Sequence, residues 1–283
     1  MNQKLSLKQS KLITILAGVL IITIAISVFF YIQESKKNSE FLLQNHSGKP
    51  DHITALKDLF GAADPSGKAR VSANELSSIW FEQSFKLGSD DFHVVFAKTQ
   101  EVDPQTGAIV EAHAQGVKVG AVTYKQTNGR WQVVSKQPKF GDFGEWGDAS
   151  EVKQAEILQL SPDTIAFMID TGAGMGGFFE SGKALFAFSK NNWRDLGYVQ
   201  TDADNSGICD EASEQASSGE GGSIPCWSYT GAISTVSGQN TEYPDLLVTR
   251  TGTESGENGV SVMPAKNVIY IFNGEKYIDA SKL

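Results

Sequence analysis

Residues 202–210 have the residue types and the spacing of a loop that binds Ca²⁺. Oxygen-bearing side chains stand at its first, third, fifth and ninth positions, namely Asp202, Asp204, Ser206 and Asp210. Gly207 at the sixth position allows the sharp turn that such loops make around the ion, but Ser213 replaces the bidentate Glu of an EF-hand. The pattern therefore predicts a calcium loop of another type. The alternative is a plain turn, which Asp, Asn, Ser and Gly favour without a metal.

The same aspartates, Asp202 and Asp204, also fit the D-x-D pattern of a metal-dependent glycosyltransferase. Residues 196–199 are a candidate for the strand that should precede this motif. However, no alternation of strands and helices surrounds it, so this interpretation depends on analogy at the level of the motif alone. An envelope hydrolase or transferase is accordingly the second function that the sequence leaves open.

Residues 140–148 form three consecutive aromatic–Gly–acid triplets, which begin at Phe140, Phe143 and Trp146. Aromatic faces beside carboxylates are suited to stacking on a sugar or gripping a peptide, and aromatic side chains commonly anchor interfaces. Alternatively, the rings fill the edge of the core while the glycines let the chain turn closely beneath them. The three aromatic residues are candidate binding residues on the first interpretation.

Two glycine-rich matches to nucleotide-binding motifs overlap within residues 172–183. Residues 172–177 fit G-x-G-x-x-G, and residues 177–183 resemble a P-loop. The first motif needs a helix at its third glycine, whereas a strand-like run follows at 184–188. In the second, Ala184 occupies the place of the Ser or Thr that binds Mg²⁺. A turn between strands explains these glycines, and no nucleotide ligand is expected.

Residues for nucleophilic or zinc chemistry form no recognisable pattern. The sequence lacks G-x-S-x-G and H-E-x-x-H, and its histidines are scattered at positions 46, 52, 93 and 113. His113 alternates with alanines in a strand-like run, where a structural histidine is more common than a catalytic base. These observations favour a protein that is not an enzyme.

The net negative charge is concentrated in one part of the chain. The formal net charge is −9, and no Lys or Arg occurs between Arg194 and Arg250, a stretch that holds nine Asp and Glu. A nucleic-acid partner is disfavoured because phosphates need the opposite charge. A cation or a basic partner surface suits this stretch better, and a solvated loop is the alternative.

Residues 12–32 predict a single transmembrane helix. These 21 residues carry no charge, and a helix of that length spans about 30 Å, the thickness of the hydrocarbon core. The run is too long for a signal peptide and ends in Phe29, Phe30 and Tyr31 instead of small residues. Three lysines precede it without an acid, so residues 1–11 are expected in the cytoplasm and residues 33–283 outside.

Cys209 and Cys226 are the two cysteines of the chain. Outside the cytoplasm two cysteines are typical of one disulfide, whereas cytoplasmic cysteines more often stay reduced. The predicted anchor places this part of the chain outside. We therefore predict a bridge between them.

Short helices are predicted directly after a polar tether at residues 33–50. One covers about residues 51–62, where apolar residues recur at helical spacing. A second is predicted from Ser72, because residues 72–75 have the form of a capping box. Residues 51–88 are thus expected to be helical.

From about residue 92 the apolar period changes to two, which predicts strands over most of residues 89–283. Strand candidates are 92–99, 108–114, 117–126, 130–136, 154–160, 164–170, 184–189, 226–236 and 245–250. Asn128-Gly129 and Asn273-Gly274 predict hairpins. In the first hairpin the apolar residues share one face, which predicts a sheet buried on one side only; they are Val122, Tyr124, Trp131 and Val133.

The expected fold class is α+β and β-dominated: one N-terminal transmembrane helix, a short helical segment, then a mainly antiparallel β-sheet domain. The expected function is a non-catalytic binding or assembly protein of the cell envelope, including inhibitor or immunity-like roles. It would be anchored in the inner membrane with its C-terminal domain in the periplasm. The partner would be an envelope protein or polymer, with calcium as a candidate ligand.

The predicted topology can be tested with reporter fusions. Alkaline phosphatase fused after residue 40 should be active, and a reporter that works only in the cytoplasm should be silent there, because three lysines hold the N-terminus inside. Measured activity in the reverse pattern would contradict the assigned compartment.

Overall fold

The computed structural model describes residues 45–46, 48–112, 115–209, 224–238, 240–256 and 261–283. The chain divides into two compact units, residues 1–46 and 47–283. The described part of the first unit is the two-residue strand β1 (Asn45–His46). The fold described below is that of the second unit.

The described part of the second unit contains a single α-helix, α1 (His52–Phe60), and ends in a 3-10 helix, Ala280–Lys282. Its strands are β2 (Lys68–Ser72), β3 (Glu75–Leu87), β4 (Asp90–Glu101), β5 (Val117–Thr127), β6 (Arg130–Phe143), β7 (Glu156–Ser161), β8 (Thr164–Met175), β9 (Phe178–Ser189), β10 (Asn192–Asp204), β11 (Ser228–Val236), β12 (Asp245–Ser255), β13 (Val262–Pro264), β14 (Val268–Phe272) and β15 (Tyr277–Asp279). The β-dominated, antiparallel architecture predicted from the sequence is confirmed.

The first sheet holds β6, β5, β4, β3 and β2 in that spatial order, with every pair antiparallel. Its predicted hairpin is confirmed: Asn128 and Gly129 both have positive φ, +54° and +75°, which a two-residue turn between twisted strands requires. The register pairs Tyr124 with Val133 and Gln126 with Trp131.

The second sheet runs in the order β15, β14, β12, β11, β10, β9, β8 and β7, again antiparallel, with β13 added to β12. Two-residue turns with positive φ join its central strands, at residues 176–177 and 190–191. The predicted hairpin near the C-terminus is present, but residues 273–276 form its loop. The Asn273 side chain holds that loop by accepting hydrogen bonds from the backbone N–H groups of Glu275 and Lys276.

The two sheets pack face to face around a core rich in aromatic residues, which we call the interface core. Trp193 of β10 lies near its centre, 3% exposed. The Trp193 ring centroid lies 4.8 to 5.1 Å from those of Phe96, Phe167 and Phe188. Its indole N–H donates to Thr123 Oγ1 at 2.8 Å, so the polar edge of the ring is satisfied inside the core.

Each sheet also buries its opposite face. Leu56 and Leu59 of α1 cover the first sheet around Val122 and Tyr124. The helix begins at the cap residue Asp51, whose carboxylate accepts the Thr54 N–H at 2.7 Å. On the second sheet, apolar residues of β12, β14 and β15 share a core with those of β7 to β10.

Two glutamines of the first sheet bind backbone groups of the second half of the chain through both polar atoms of their amides. Gln83 accepts the Ala155 N–H at 2.8 Å and donates to the Ala155 carbonyl at 3.0 Å. Gln137 does the same with Trp193, at 2.6 and 2.9 Å. An amide side chain presents one donor and one acceptor, so each glutamine replaces the strand that would otherwise pair with these residues.

The second predicted helix is wrong, because residues 75–87 form β3. A register shift between Ile79 and Phe81 marks a bulge at Trp80. Consequently Trp80 and Phe81, although consecutive, both pack against the interface core. The bulge interrupts the alternation of buried and exposed residues, so the apolar residues of β3 have a spacing like that of a helix. The supposed capping box is a tight turn in which Ser72 pairs with Glu75 across β2 and β3.

Burial of the first sheet on one side only is also wrong. The face that carries Val122 and Tyr124 is covered by α1, as the alternation indicates, but the opposite face packs against the second sheet. Thr123 on that opposite face is completely buried. The predicted strand at 108–114 is not formed by its described residues, of which Ile109 makes one isolated bridge to Val102.

In the part of the chain that the structure describes, no helix is long and apolar enough to cross a membrane. The predicted span at residues 12–32 lies outside the described residues, together with residues 1–11 and most of the tether. The membrane anchor therefore stays a prediction.

The glutamine contacts predict that Gln83→Met destabilises the domain by about 2–4 kcal/mol, because two buried backbone groups of Ala155 lose their partners while the volume is kept. Urea unfolding followed by tryptophan fluorescence measures this change. Gln126→Met is the matched control, since Gln126 is exposed on β5, and should alter stability by less than about 0.5 kcal/mol. Equal midpoints for the two variants would contradict the assigned role of Gln83.

Candidate binding cleft

The predicted calcium loop begins at the end of β10. Asp202 and Asp204 are two residues apart on this strand, and Ser206 follows in a turn. Asp204 Oδ1 accepts the Ser206 N–H at 2.9 Å. Hydrogen bonds from the side chain and the backbone of Ser206 lower the pKa of Asp204, so its carboxylate is ionised at neutral pH.

Asp202 is held by its own neighbours instead of sharing contacts with Asp204. Its carboxylate accepts from Thr201 Oγ1, from Ser181 Oγ at 3.4 Å and from the Gly231 N–H at 3.4 Å. Within the described ranges no three His, Cys, Asp or Glu side chains come together as a metal site would require. The ninth-position ligand, Asp210, lies outside the described residues. The calcium loop therefore stays a prediction.

The predicted disulfide is confirmed. Cys209 and Cys226 are bonded, with their Cα atoms 4.9 Å apart, and so tie the end of the β10 turn to the segment before β11. Asn205, which is fully buried, reinforces this tie. Its side chain donates to the Pro225 carbonyl at 2.9 Å and accepts the Trp227 N–H at 2.8 Å.

The three aromatic–Gly–acid triplets are divided between core and surface. Phe140 and Phe143 both contact Phe186 of the interface core, with ring centroids 5.1 and 6.2 Å apart. Trp146 is 53% exposed and has a φ of +56°, in the left-handed region. As the alternative interpretation supposed, glycine permits the close turn: a Cβ at Gly144 would lie 2.1 Å from the Asp148 carbonyl oxygen.

The glycines that matched nucleotide-binding motifs belong to the β8–β9 hairpin. Gly176 and Gly177 form its turn with φ of +61° and +84°, and β9 follows where a nucleotide-binding fold would need a helix. A Cβ on Gly177 would lie 2.2 Å from the Ile208 side chain. The turn interpretation made from the sequence is confirmed.

Beside this hairpin the surface contains a cleft, which we call the hairpin cleft. Its largest part has a volume of about 650 Å³, and adjoining parts measure about 440, 550 and 450 Å³. Gly172 and Glu145 line the parts of about 650, 440 and 550 Å³. Glu180 of β9 lines the parts of about 650, 440 and 450 Å³. The shared walls show that the parts adjoin one another around the outer half of β8 and β9.

Carboxylates dominate the polar lining of the hairpin cleft. Four of them have lysine partners: Asp142 with Lys139, Asp148 with Lys98, Asp170 with Lys183 and Asp195 with Lys276. The other five form no ion pair with any described Lys or Arg; they are Glu145, Glu180, Asp202, Asp204 and Asp279. The lining also contains Lys276 and Lys282. Because nine carboxylates outnumber these two lysines, the lining carries a net negative charge.

Tyrosines stand close to the central carboxylate, Glu180. Burial, and secondarily the Glu180 charge, raises the pKa of Tyr198 to about 12. Burial is also the main cause that raises the pKa of Tyr229 and Tyr270, with Glu180 again contributing. These phenols are neutral at physiological pH, so their rings and hydroxyl groups meet a ligand without adding charge.

Gln200 of β10 positions two of these tyrosines. Its backbone N–H donates to the Tyr270 hydroxyl at 3.2 Å, and its side-chain amide donates to the Tyr229 hydroxyl at 3.1 Å. The Arg250 guanidinium lies 4.4 Å from the Tyr229 ring centroid. The guanidinium of Arg250 thus makes a cation–π contact with the Tyr229 ring. A basic ligand would make the same kind of contact with the other tyrosine rings.

Sequence reasoning found part of this cleft and missed its centre. Asp202 and Asp204 line it, Phe143 forms part of its wall, and Phe140 and Trp146 are not among its lining residues. No sequence motif points to Glu180, although it directly follows two aromatic residues within the glycine-rich stretch. Glu180 pairs with Ala173 of β8 on one side and with Ala203 of β10 on the other. This strand register cannot be predicted from the spacing of neighbouring residues.

No protein-family model, no curated protein and no solved structure matches this chain. The assignment of function therefore depends on the chemistry of the hairpin cleft.

The disulfide contacts predict that Cys226→Ser lowers the unfolding free energy by about 2–4 kcal/mol, because the unfolded chain regains the freedom of the closed segment. Chemical denaturation with and without reductant measures it: reductant should destabilise the wild-type protein to the level of the variant and leave the variant unchanged. Stability of the wild-type protein that does not respond to complete reduction would contradict this prediction.

Proposed function

We propose that this chain is a non-catalytic binding protein of the cell envelope, anchored by residues 12–32, whose hairpin cleft binds a basic region of a partner. The observation that carries the proposal is the grouping of four carboxylates that form no ion pair with a described Lys or Arg with tyrosines around Glu180; the four are Glu145, Glu180, Asp202 and Asp204. Uncompensated like charges destabilise a folded protein, and a ligand of opposite charge relieves that cost. Their grouping in a concave surface favours a binding function.

The compartment is supported by the disulfide. Bridges persist in oxidising compartments and are rare in the cytoplasm. The position of the Cys209–Cys226 bridge beside the cleft gives it a structural task, since it fixes the segment that leads into β11 and Tyr229. This agrees with the topology inferred from the N-terminal lysines, and in that topology the cleft would face other envelope components in the periplasm.

The cleft also suits binding better than metal-dependent transfer. Asp202 accepts hydrogen bonds from three groups of its own chain, and Asp204 is engaged by Ser206. Both carboxylates are thereby oriented by the protein. They contribute negative charge at one end of the cleft, a role that needs no bound ion.

A photo-crosslinking residue at position 179 tests the proposal in cells of the native host. The full-length chain should give a discrete adduct from this position, since Phe179 lines the cleft, and Glu180→Lys should abolish it by repelling a basic partner. Mass spectrometry should map the partner's site to a segment rich in Lys and Arg.

The matched control places the same crosslinker at Asp163, which is exposed at the opposite end of β8. It should give no such adduct. The proposal fails if positions 163 and 179 give the same products, or if Glu180→Lys leaves the adduct from position 179 intact.

A further inference from the structure

The tip of the β8–β9 hairpin exposes an apolar surface directly beside the acidic cleft. We call Met175, Phe178 and Phe179 the apolar tip; they are 86%, 45% and 47% exposed. Phe179 and Glu180 are consecutive, and both line the same part of the cleft. A ligand in this part of the cleft therefore meets an aromatic ring and a carboxylate together.

Close contacts hold the apolar tip in place. The Phe179 ring lies against Gly174 of the facing strand, where an added Cβ would come within 2.8 Å of it. The Gly207 N–H donates to the Gly177 carbonyl at 3.1 Å, which joins the hairpin turn to the loop before Cys209. The exposed rings are thus carried by a turn that is fastened to the disulfide-linked segment, and little ordering would be needed on binding.

A row of aromatic residues connects the tip to Tyr229, a lining residue of the cleft. The Phe178 ring centroid lies 6.3 Å from that of Trp227, and Trp227 is stacked with Tyr229 at 6.2 Å. Arg250 covers the Tyr229 ring, so this row ends on a residue that already makes a cation–π contact. The row leads by apolar and π-facing contacts from the apolar tip to Tyr229, which lines the cleft together with Glu180, Asp202 and Asp204.

We propose that the ligand of the hairpin cleft is a peptide segment in which basic residues are interspersed with aromatic or large aliphatic ones. The apolar tip would bind the apolar side chains, and Glu180, Asp202 and Asp204 would bind the basic ones. This deepens the function proposed above and rests on it. Rigid aromatic anchors are the usual source of affinity in interfaces, while charge mainly supplies steering and specificity.

Charge complementarity selects this occupant over others. A second copy of the chain would bring the same carboxylates to the cleft, and an anionic lipid surface would be repelled by them. A purely polar polycation would satisfy the carboxylates but leave three exposed apolar side chains uncovered. A basic segment with apolar residues satisfies both surfaces.

Fluorescence anisotropy with two peptide probes tests this inference. The full-length chain in detergent is titrated against dye-labelled Arg-Trp-Arg-Trp-Arg-Trp and Arg-Ser-Arg-Ser-Arg-Ser, which have equal length and charge, with empty micelles as blank. The tryptophan probe should bind about tenfold more tightly, the ratio that one well-buried aromatic contact provides. Phe179→Ser should remove this preference without weakening the serine probe, since Phe179 lines the cleft.

Two further variants make the result specific. Ile269→Ser is the matched control, because Ile269 is 46% exposed on β14 and does not line the described parts of the cleft; it should leave both affinities unchanged. Glu180→Gln should weaken both probes by a similar factor, and raised salt should do the same.

The outcomes separate this inference from the function on which it rests. If both probes bind equally, or if Phe179→Ser leaves the preference unchanged, the apolar tip is not an anchor and the inference is overturned, while cation binding by the cleft stands. If neither probe binds, or if Glu180→Gln has no effect on either, the proposed function fails as well. Thermal melting of each variant verifies that it is folded, and the comparison of probes on the wild-type chain needs no variant.

Discussion

Burial of aromatic rings between the two sheets is the interaction on which the rest of this fold depends. Trp193 contacts rings from both sheets, and its indole N–H uses Thr123, a polar residue that is otherwise sealed in the core. Such burial supplies most of the favourable free energy but has no direction. Direction comes from Gln83 and Gln137, which fix the backbone of Ala155 and Trp193 by paired hydrogen bonds and so set how the sheets face each other.

The same packing decides where the cleft lies. The first sheet covers the first half of β8 and the last half of β9. Alternate residues of these halves belong to the interface core, as Phe167 and Phe186 do. From Thr171 onward β8 extends past that cover, and the start of β9 pairs with this extension. The hairpin therefore continues as regular strand where no second layer buries it. Its exposed face forms the walls of the hairpin cleft and carries the apolar tip.

Local features of the fold could be predicted from the sequence, because they depend on neighbouring residues. The turn at Asn128-Gly129 and the helix after Asp51 follow from backbone preferences of a few residues, and the disulfide follows from compartment and count. The bulge at Trp80 could not be predicted, since it is defined by the pairing of β3 with β4. Burial of both faces of the first sheet likewise depends on a partner sheet that begins after residue 155.

The candidate site shows the same division. Asp202 and Asp204 were found because their spacing is local, and the acidic character of residues 195–249 was visible in the composition. The grouping of Glu180 with Tyr198, Tyr229 and Tyr270 depends on four strands and on a register shift between Gln200 and Asp202. No signal within the sequence of one chain joins residues separated by 90 positions. The sequence does show an acid directly after two aromatic residues in a glycine-rich hairpin. This pattern indicates a site only when the strand register is known.

The distribution of bases explains why negative charge collects on one side of the cleft. Several carboxylates near the first sheet or the C-terminal hairpin have lysine partners from those elements, as Asp148 has Lys98 and Asp195 has Lys276, although Glu145 and Asp279 form no such pair. On the β10–β11 side Asp202 and Asp204 form no ion pair with a described Lys or Arg, and the chain carries no Lys or Arg from residue 195 to residue 249. Repulsion there would favour opening of the segment between the strands. The Cys209–Cys226 bridge and the buried amide of Asn205 lie at that point and oppose it, so the charges are held together by covalent and hydrogen-bonded restraints instead of by counter-charges. A surface that keeps its charge unneutralised and its geometry fixed loses little entropy when a cationic ligand binds, which is the arrangement expected of a binding site rather than of a solvated loop.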